Sequence, residues 1–186
     1  MQMAPGHAPG IPDPRFAPGP GFAPELSGGT AILGTMVSWK EVETAEPGFA
    51  ASVRAVFSKS KHKTIATLRA DGGPRISGIE AEFEDGELTF GSMPNSRKGA
   101  DLLRDPRLAL HSPSVDAPED APASWQGDAK IAGRAVLTHE LTGAQPGQGF
   151  RVDIEEVVRI GLNDEGDHLV IQVWRPGRGL RKITRS

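Results

Sequence analysis

The sequence predicts a mainly β fold with flanking helices, its strands antiparallel and closed into a barrel. From residue 64 onward the chain breaks into short runs rich in β-branched and aromatic residues. Turn residues such as Asp71-Gly72-Gly73-Pro74 and Glu84-Asp85-Gly86 separate the runs, and only three segments carry helical periodicity or helix caps. Six or more antiparallel strands with so few helices favour closure over a sandwich, because closure removes unpaired edges.

Residues 1–35 hold seven Pro and seven Gly, in phrases such as Ala4-Pro5-Gly6 and Ala17-Pro18-Gly19-Pro20-Gly21. Proline lacks the donor a ladder needs and glycine raises the entropic cost of ordering, so 1–35 is expected to be a disordered tail preceding one domain over 36–186. The composition changes at Met36, a candidate native start. Ser38-Trp39-Lys40-Glu41 has the spacing of a capping box and opens a short helix that must stop by Pro47. Phe49, Val53, Val56 and Phe57 then share one helical face, giving a second helix to about Ser60. A three-stranded meander follows at 64–70, 75–83 and 87–92. Gly78 interrupts its second strand, where glycine marks a bulge or a close approach to the backbone. Strands at 107–111, 129–138, 157–162 and 169–174 complete the set. Loop 113–127, long, acidic and Pro-rich, reads as a lid or a loose connection.

Composition narrows the function. The 186 residues include no Cys, which excludes disulfides, thiolate metal sites and a cysteine nucleophile and suits a reducing compartment. Lys and Arg number 21 against 24 Asp and Glu, a net charge of −3 that offers no general field for nucleic acid. No apolar run approaches the roughly 20 residues of a membrane span, and the first residues lack the basic-then-apolar order of a secretory leader. A cytoplasmic protein without nucleic-acid or membrane partners is expected.

The stretch from Gly91 to Pro106 carries the chemistry. Ser96 or Asn95 caps a helix that must end near Asp105, since the residue before a proline avoids the α region. Its first turn holds Arg97 and Lys98. Two cations beside the positive end of a helix dipole cost from a few tenths to about 1 kcal/mol each when nothing compensates. A bound anion reverses that sign: backbone amides, the Ser96 hydroxyl, a guanidinium and an ammonium converge there as a receptor for a phosphate monoester. The competing reading is a solvated basic face.

The phrases Thr67-Leu68-Arg69-Ala70-Asp71-Gly72-Gly73-Pro74-Arg75-Ile76-Ser77, Gly91-Ser92, Ser96-Arg97-Lys98 and Asp105-Pro106-Arg107-Leu108-Ala109-Leu110 resemble the pyridoxamine 5′-phosphate oxidase-like, flavin-binding split-barrel superfamily. The segment Leu169 to Gly179 is similar to the tail of actinobacterial members. The resemblance implies a six-stranded split barrel that forms a homodimer and binds FMN, or a deazaflavin in some branches, in grooves at the subunit interface. By the same resemblance Ser96, Arg97 and Lys98 hold the cofactor phosphate and Ser92 adds a hydroxyl. Arg75, Ile76 and Ser77 lie along the ring and ribityl chain, largely through backbone groups, and Gly78 lets a planar ring approach. Lys130 belongs to the segment 125–130 near the other subunit's contribution, and Trp174 and Arg175 stand at the second edge of the site. The implied activity is an FMN-dependent oxidoreductase acting on a small molecule, with a deazaflavin-dependent reductase or a noncatalytic flavin carrier as alternatives. Two departures argue against true pyridoxamine phosphate oxidase activity. Ile79-Glu80 stands where those enzymes carry a phosphate-binding lysine, and Arg178-Gly179-Leu180 lacks the histidine of their Arg-x-His motif.

Rival sites are weaker. The five His form no metal-ligand spacing, and Asp164-Glu165-Asp167 lacks the alternation of a calcium loop, so no metal is expected. Haem is not the expected cofactor; it would require a histidine axial ligand, and His111 is the one candidate. Lys130 and Arg134 share a strand parity opposite Ile131, Ala135 and Leu137, and either reach a neighbour or cofactor or decorate the wet face. No G-x-S-x-G elbow supports hydrolysis. No general acid or base is assigned.

Overall fold

The computed structural model describes residues 36–141 and 146–185, except for the side chains of 140 and 141; the expected tail, 1–35, lies outside them. Helix α1 spans Trp39–Ala45. The Glu41 carboxylate accepts the Ser38 N–H at 2.9 Å and its hydroxyl at 3.1 Å, so the capping residues meet as their spacing predicts. Helix α2 spans Pro47–Phe57 and starts on the proline that stops α1, because the first helical position needs no N–H donor. It buries Phe49, Val53, Val56 and Phe57, and ends short of Ser60 where the apolar stripe runs out.

The strands are β1 (His62–Leu68), β2 (Pro74–Glu84), β3 (Glu87–Ser92), β4 (Arg107–His111), β5 (Asp128–Leu141), β6 (Gly147–Leu162), β7 (Leu169–Arg175) and β8 (Gly179–Arg185), with helix α3 (Arg97–Arg104) between β3 and β4. Their order is β3-β2-β1-β4-β5-β6-β7-β8, and β3 also pairs with β6. That last pairing closes six antiparallel strands into a barrel and leaves β7 and β8 as an extension. Ile65, Leu88, Leu110, Ile131, Phe150 and Ile154 of the strands and Trp39 and Phe57 of the helices are fully buried in one core. Arg54 of α2 ties one end together, donating to Glu43 of α1 at 2.8 Å and to the Phe83 carbonyl of β2 at 2.9 Å. No described helix is long and apolar enough to cross a membrane.

Two elements correct the sequence expectation. β6 begins at Gly147 rather than Val157, and β8 was not anticipated. The first half of β6 does alternate, with Phe150, Val152 and Ile154 buried between Arg151, Asp153 and Glu155, but three charges and two glycines mask the run. β8 is an outer strand whose apolar residues Leu180 and Ile183 are three apart, and its cations Arg181, Lys182 and Arg185 give the edge the charge that deters further pairing.

The register sorts residues onto two faces. On the outside, one row reads Ile76, Ala66, Ala109, Ala132 across β2, β1, β4 and β5, and the next reads Gly78, Thr64, His111, Lys130, Val158, Val173 onward to β7. At Ala132/Gly133 the β5–β6 register shifts, and a side chain on Gly133 would put its Cβ 2.2 Å from the Asp153 carbonyl oxygen. Gly133→Ala should therefore destabilise the fold by about 1–3 kcal/mol. Gly48→Ala, at a helical glycine with open space around it, should leave stability unchanged or raise it by up to about 1 kcal/mol. Thermal unfolding of both variants checks the contrast.

Candidate functional site

Ser96 sits in extended backbone before α3, and its Oγ accepts the Gly99 N–H at 3.0 Å, so it is the cap. The Ser92 Oγ lies 2.5 Å from the Ser96 Oγ. Two hydroxyls joined by one hydrogen bond use one of their two protons, which leaves one O–H to give to a ligand. Ser92 is buried, so its hydroxyl acts from behind Ser96. Gly99 allows this packing: a Cβ there would stand 2.6 Å from Gln148 Oε1 and 2.9 Å from Ser96 Oγ. Arg97 is exposed and Lys98 half-buried. Among the described residues neither their side chains nor their backbone N–H groups have a hydrogen-bond partner. One capped helix start thus presents two amides, one hydroxyl and two cations that are unpaired among the described residues, groups whose chemistry suits an anion.

Behind it lies an anionic group that the sequence did not single out. Asp101, 3% exposed, accepts from Arg75 Nε at 2.6 Å and from Thr67 Oγ1 at 3.0 Å, with Arg104 at 3.4 Å. Arg104 also bonds the Leu68 carbonyl. One carboxylate of α3 therefore gathers β1 and β2. The hydrogen bond from Arg75 chiefly holds the Asp101 carboxyl below its ordinary value, against the opposing effect of burial.

The remaining predicted residues divide by face. Ile76, 75% exposed, and Gly78 lie on the outer face, where a Cβ at Gly78 would meet nothing within 4 Å. Lys130 and Arg175 share that face; Lys130 is exposed, and Arg175 Nε is bonded to Glu156 at 2.7 Å. Arg75 and Ser77 turn the other way, opposite Thr67 and Ile65. Trp174 is the residue expected at the second edge of the site. Its indole is 4% exposed within the core, because its strand parity places it beside Val157 and Leu180. Arg75, expected to act largely through its backbone, has its side chain bound to Asp101.

Other sequence candidates find local roles. His111 is half-buried, with Nδ1 2.6 Å from the Ser112 carbonyl. A carbonyl only accepts, so Nδ1 carries the proton in that bond. Trp125 pins the long loop by donating to the Val115 carbonyl at 2.7 Å. A cleft of about 550 Å³, lined by α2, the start of β1 and the end of β2, contains the buried Lys63, whose pKa burial lowers. It shares no residue with the α3 receptor, and its Glu82 and Glu84 oppose an anion. Asp101, Thr67 and Gln148 were invisible as site residues, since a lone acid, hydroxyl or amide has no spacing signature.

The family model described as pyridoxamine 5′-phosphate oxidase matches residues 49–158, more than half of the chain. Among solved structures, a pyridoxamine 5′-phosphate oxidase-related, FMN binding protein from Nostoc punctiforme is similar at 10% identity and a TM-score of 0.53, over 76% of this chain and 96% of that one. PhzG from Burkholderia lata, in complex with tetrahydrophenazine-1-carboxylic acid, gives 15% identity and a TM-score of 0.52 over 78% and 92%. The haem binding protein from Mycobacterium smegmatis gives 14% and 0.48 over 72% and 86%. Identities this low speak to the barrel alone. No curated protein matches significantly.

Acid should test the site's wiring. Asp101 is held below the ordinary value of 3.8, and Asp105 down to about 2, chiefly by the hydrogen bond from Arg107. A depressed native pKa contributes stability that is full above the ordinary value and is lost as the pH falls through the native one. Urea midpoints should hold above about pH 5 as far as these groups are concerned and decline at more acid pH. Asp101→Asn, with no carboxylate there to protonate, should start lower at neutral pH and decline less steeply.

Proposed function

The chain belongs to the pyridoxamine 5′-phosphate oxidase family, and from that premise we propose that it binds FMN by its 5′-phosphate at the start of α3 and serves as a flavin-dependent oxidoreductase for a small-molecule substrate. The observation that carries the reading is the pair Arg97 and Lys98, set without hydrogen-bond or ion-pair partners among the described residues on a helix start whose serine pair has a proton to spare. A phosphate dianion fits the donor set: the two cations offset its charge and the first-turn amides with the serine pair donate to its oxygens. Open space above Gly78 leaves the outer face clear for a flat ring. Bound there, FMN would supply two-electron redox chemistry. The protein's part is to bind, orient and shield; Lys130 and Arg175 are exposed cations on that face.

A homodimer suits the same face. Ile76, Ala66, Ala109 and Ala132 form the apolar part of an outer row that continues to Glu156, itself bonded to Arg175, with Val158 and Val173 in the adjoining row, and a partner covering it would bury Ile76 and enclose the ring's groove. A cytoplasmic setting agrees with a chain free of cysteine. Pyridoxamine phosphate itself is disfavoured as substrate by Glu80 and by Leu180. Glu80 is bonded to Lys61 at 3.0 Å, so the position where relatives carry a cation presents a carboxylate. That feature favours a deazaflavin coenzyme as the second reading.

Titration of free FMN, followed by its fluorescence, tests the proposal. Arg97→Ala with Lys98→Ala should weaken binding at least about 100-fold, taking each charge-assisted contact as about 1.5–3 kcal/mol, with an unchanged melting temperature. Full affinity in the double variant rejects the phosphate assignment. Binding of a deazaflavin in preference to FMN selects the second reading, and a bound flavin that exchanges electrons with no donor or acceptor identifies a carrier. Sedimentation of the purified chain as a monomer would reject the dimer.

A further inference from the structure

We propose that Asp101 is the positioning residue of the phosphate site, the clamp that fixes the start of α3 against β1 and β2 so that Ser96, Arg97 and Lys98 meet the anion together. The proposal rests on the FMN reading above. A helix of eight residues is too short to be stable alone, so its orientation comes from what holds it. Its apolar grip is slight: Leu102 is its one buried large apolar side chain, while Leu103 is 54% exposed. The polar grip is extensive. Asp101 takes the Thr67 hydroxyl of β1 and Arg75 Nε of β2, and Arg104 of the same helix reaches both Asp101 and the Leu68 carbonyl.

The clamp also keeps the receptor cationic. Arg97 and Asp101 are one helical turn apart, the spacing at which an acid and a base pair on a helix surface. They do not pair here: one Asp101 oxygen is taken by Thr67 and Arg75, and the other faces Arg104. Arg75 thereby spends its Nε on Asp101 and spares Arg97, whose charge remains for the ligand. Asp101 touches no cofactor in this arrangement; it acts through the elements it joins.

FMN and riboflavin differ only by the phosphate, so the ratio of their affinities isolates the phosphate site from the ring site. In wild-type protein FMN should bind at least 100-fold more tightly than riboflavin. Asp101→Asn should cut that ratio at least tenfold while riboflavin affinity changes less than threefold, and Asp101→Glu, which keeps the charge, should recover part of it. Equal losses for both flavins, or an unchanged ratio in folded Asp101→Asn, overturn the clamp while leaving the FMN reading intact. Wild-type protein that shows no preference for FMN overturns the FMN reading and the clamp with it. Should Asp101→Asn fail to fold, Thr67→Val carries the test, since it removes one bond and neither charge: a ratio lowered severalfold supports the clamp, and an unchanged ratio rejects it.

Discussion

One edge of β6 meets three partners in succession: β3 at residues 148–151, Val37 at Ile154, and β7 from Val157 to Leu162. Its other edge follows β5 for nearly the whole length. A buried backbone donor or acceptor without a partner costs more than its hydrogen bond gains, so a strand this central must be paired on both sides throughout. The contact with β3 is what turns a sheet into a barrel. That closure brings Gln148 against Ser92 and Gly99, at the foot of the helix that carries the proposed cofactor contacts.

The electrostatics of that helix run against ordinary preference. Its first turn is basic and has no acid, the reverse of what a dipole favours. The nearest strongly placed carboxylate, Asp101, is held inward by Arg75 and Thr67. The exposed end keeps its positive charge while the buried end is balanced. A separation of this kind is costly to stability and useful for binding, which is where local rules are expected to be broken.

Much of the fold was legible. Ser38 with Glu41, the stripe from Phe49 to Phe57, and the strands 87–92 and 107–111 follow from spacing alone, because each is decided by neighbours within a few residues. The cap of α3, left between Ser96 and Asn95 by the sequence, is Ser96. The first half of β6 and all of β8 were not legible: charged alternation in one and a basic outer strand in the other hide β-structure that only the neighbouring strands impose. Within the site, the residues that bear charge at the surface were readable, and those acting from below were not. Asp101 looks in sequence like any acid on a short helix, and its role depends on Thr67 and Arg75 being brought there from other strands.

β7 and β8 lie outside the closed ring and lean on it through the second half of β6. Their pairing with one another and with β6 is not needed for closure of the ring, so the seam at Val157 to Leu162 is where local opening is expected to begin. Two of the three tryptophans lie on the two sides of that seam. Trp174 emits from the detachable hairpin, and Trp39 from beneath the helices that cover the ring.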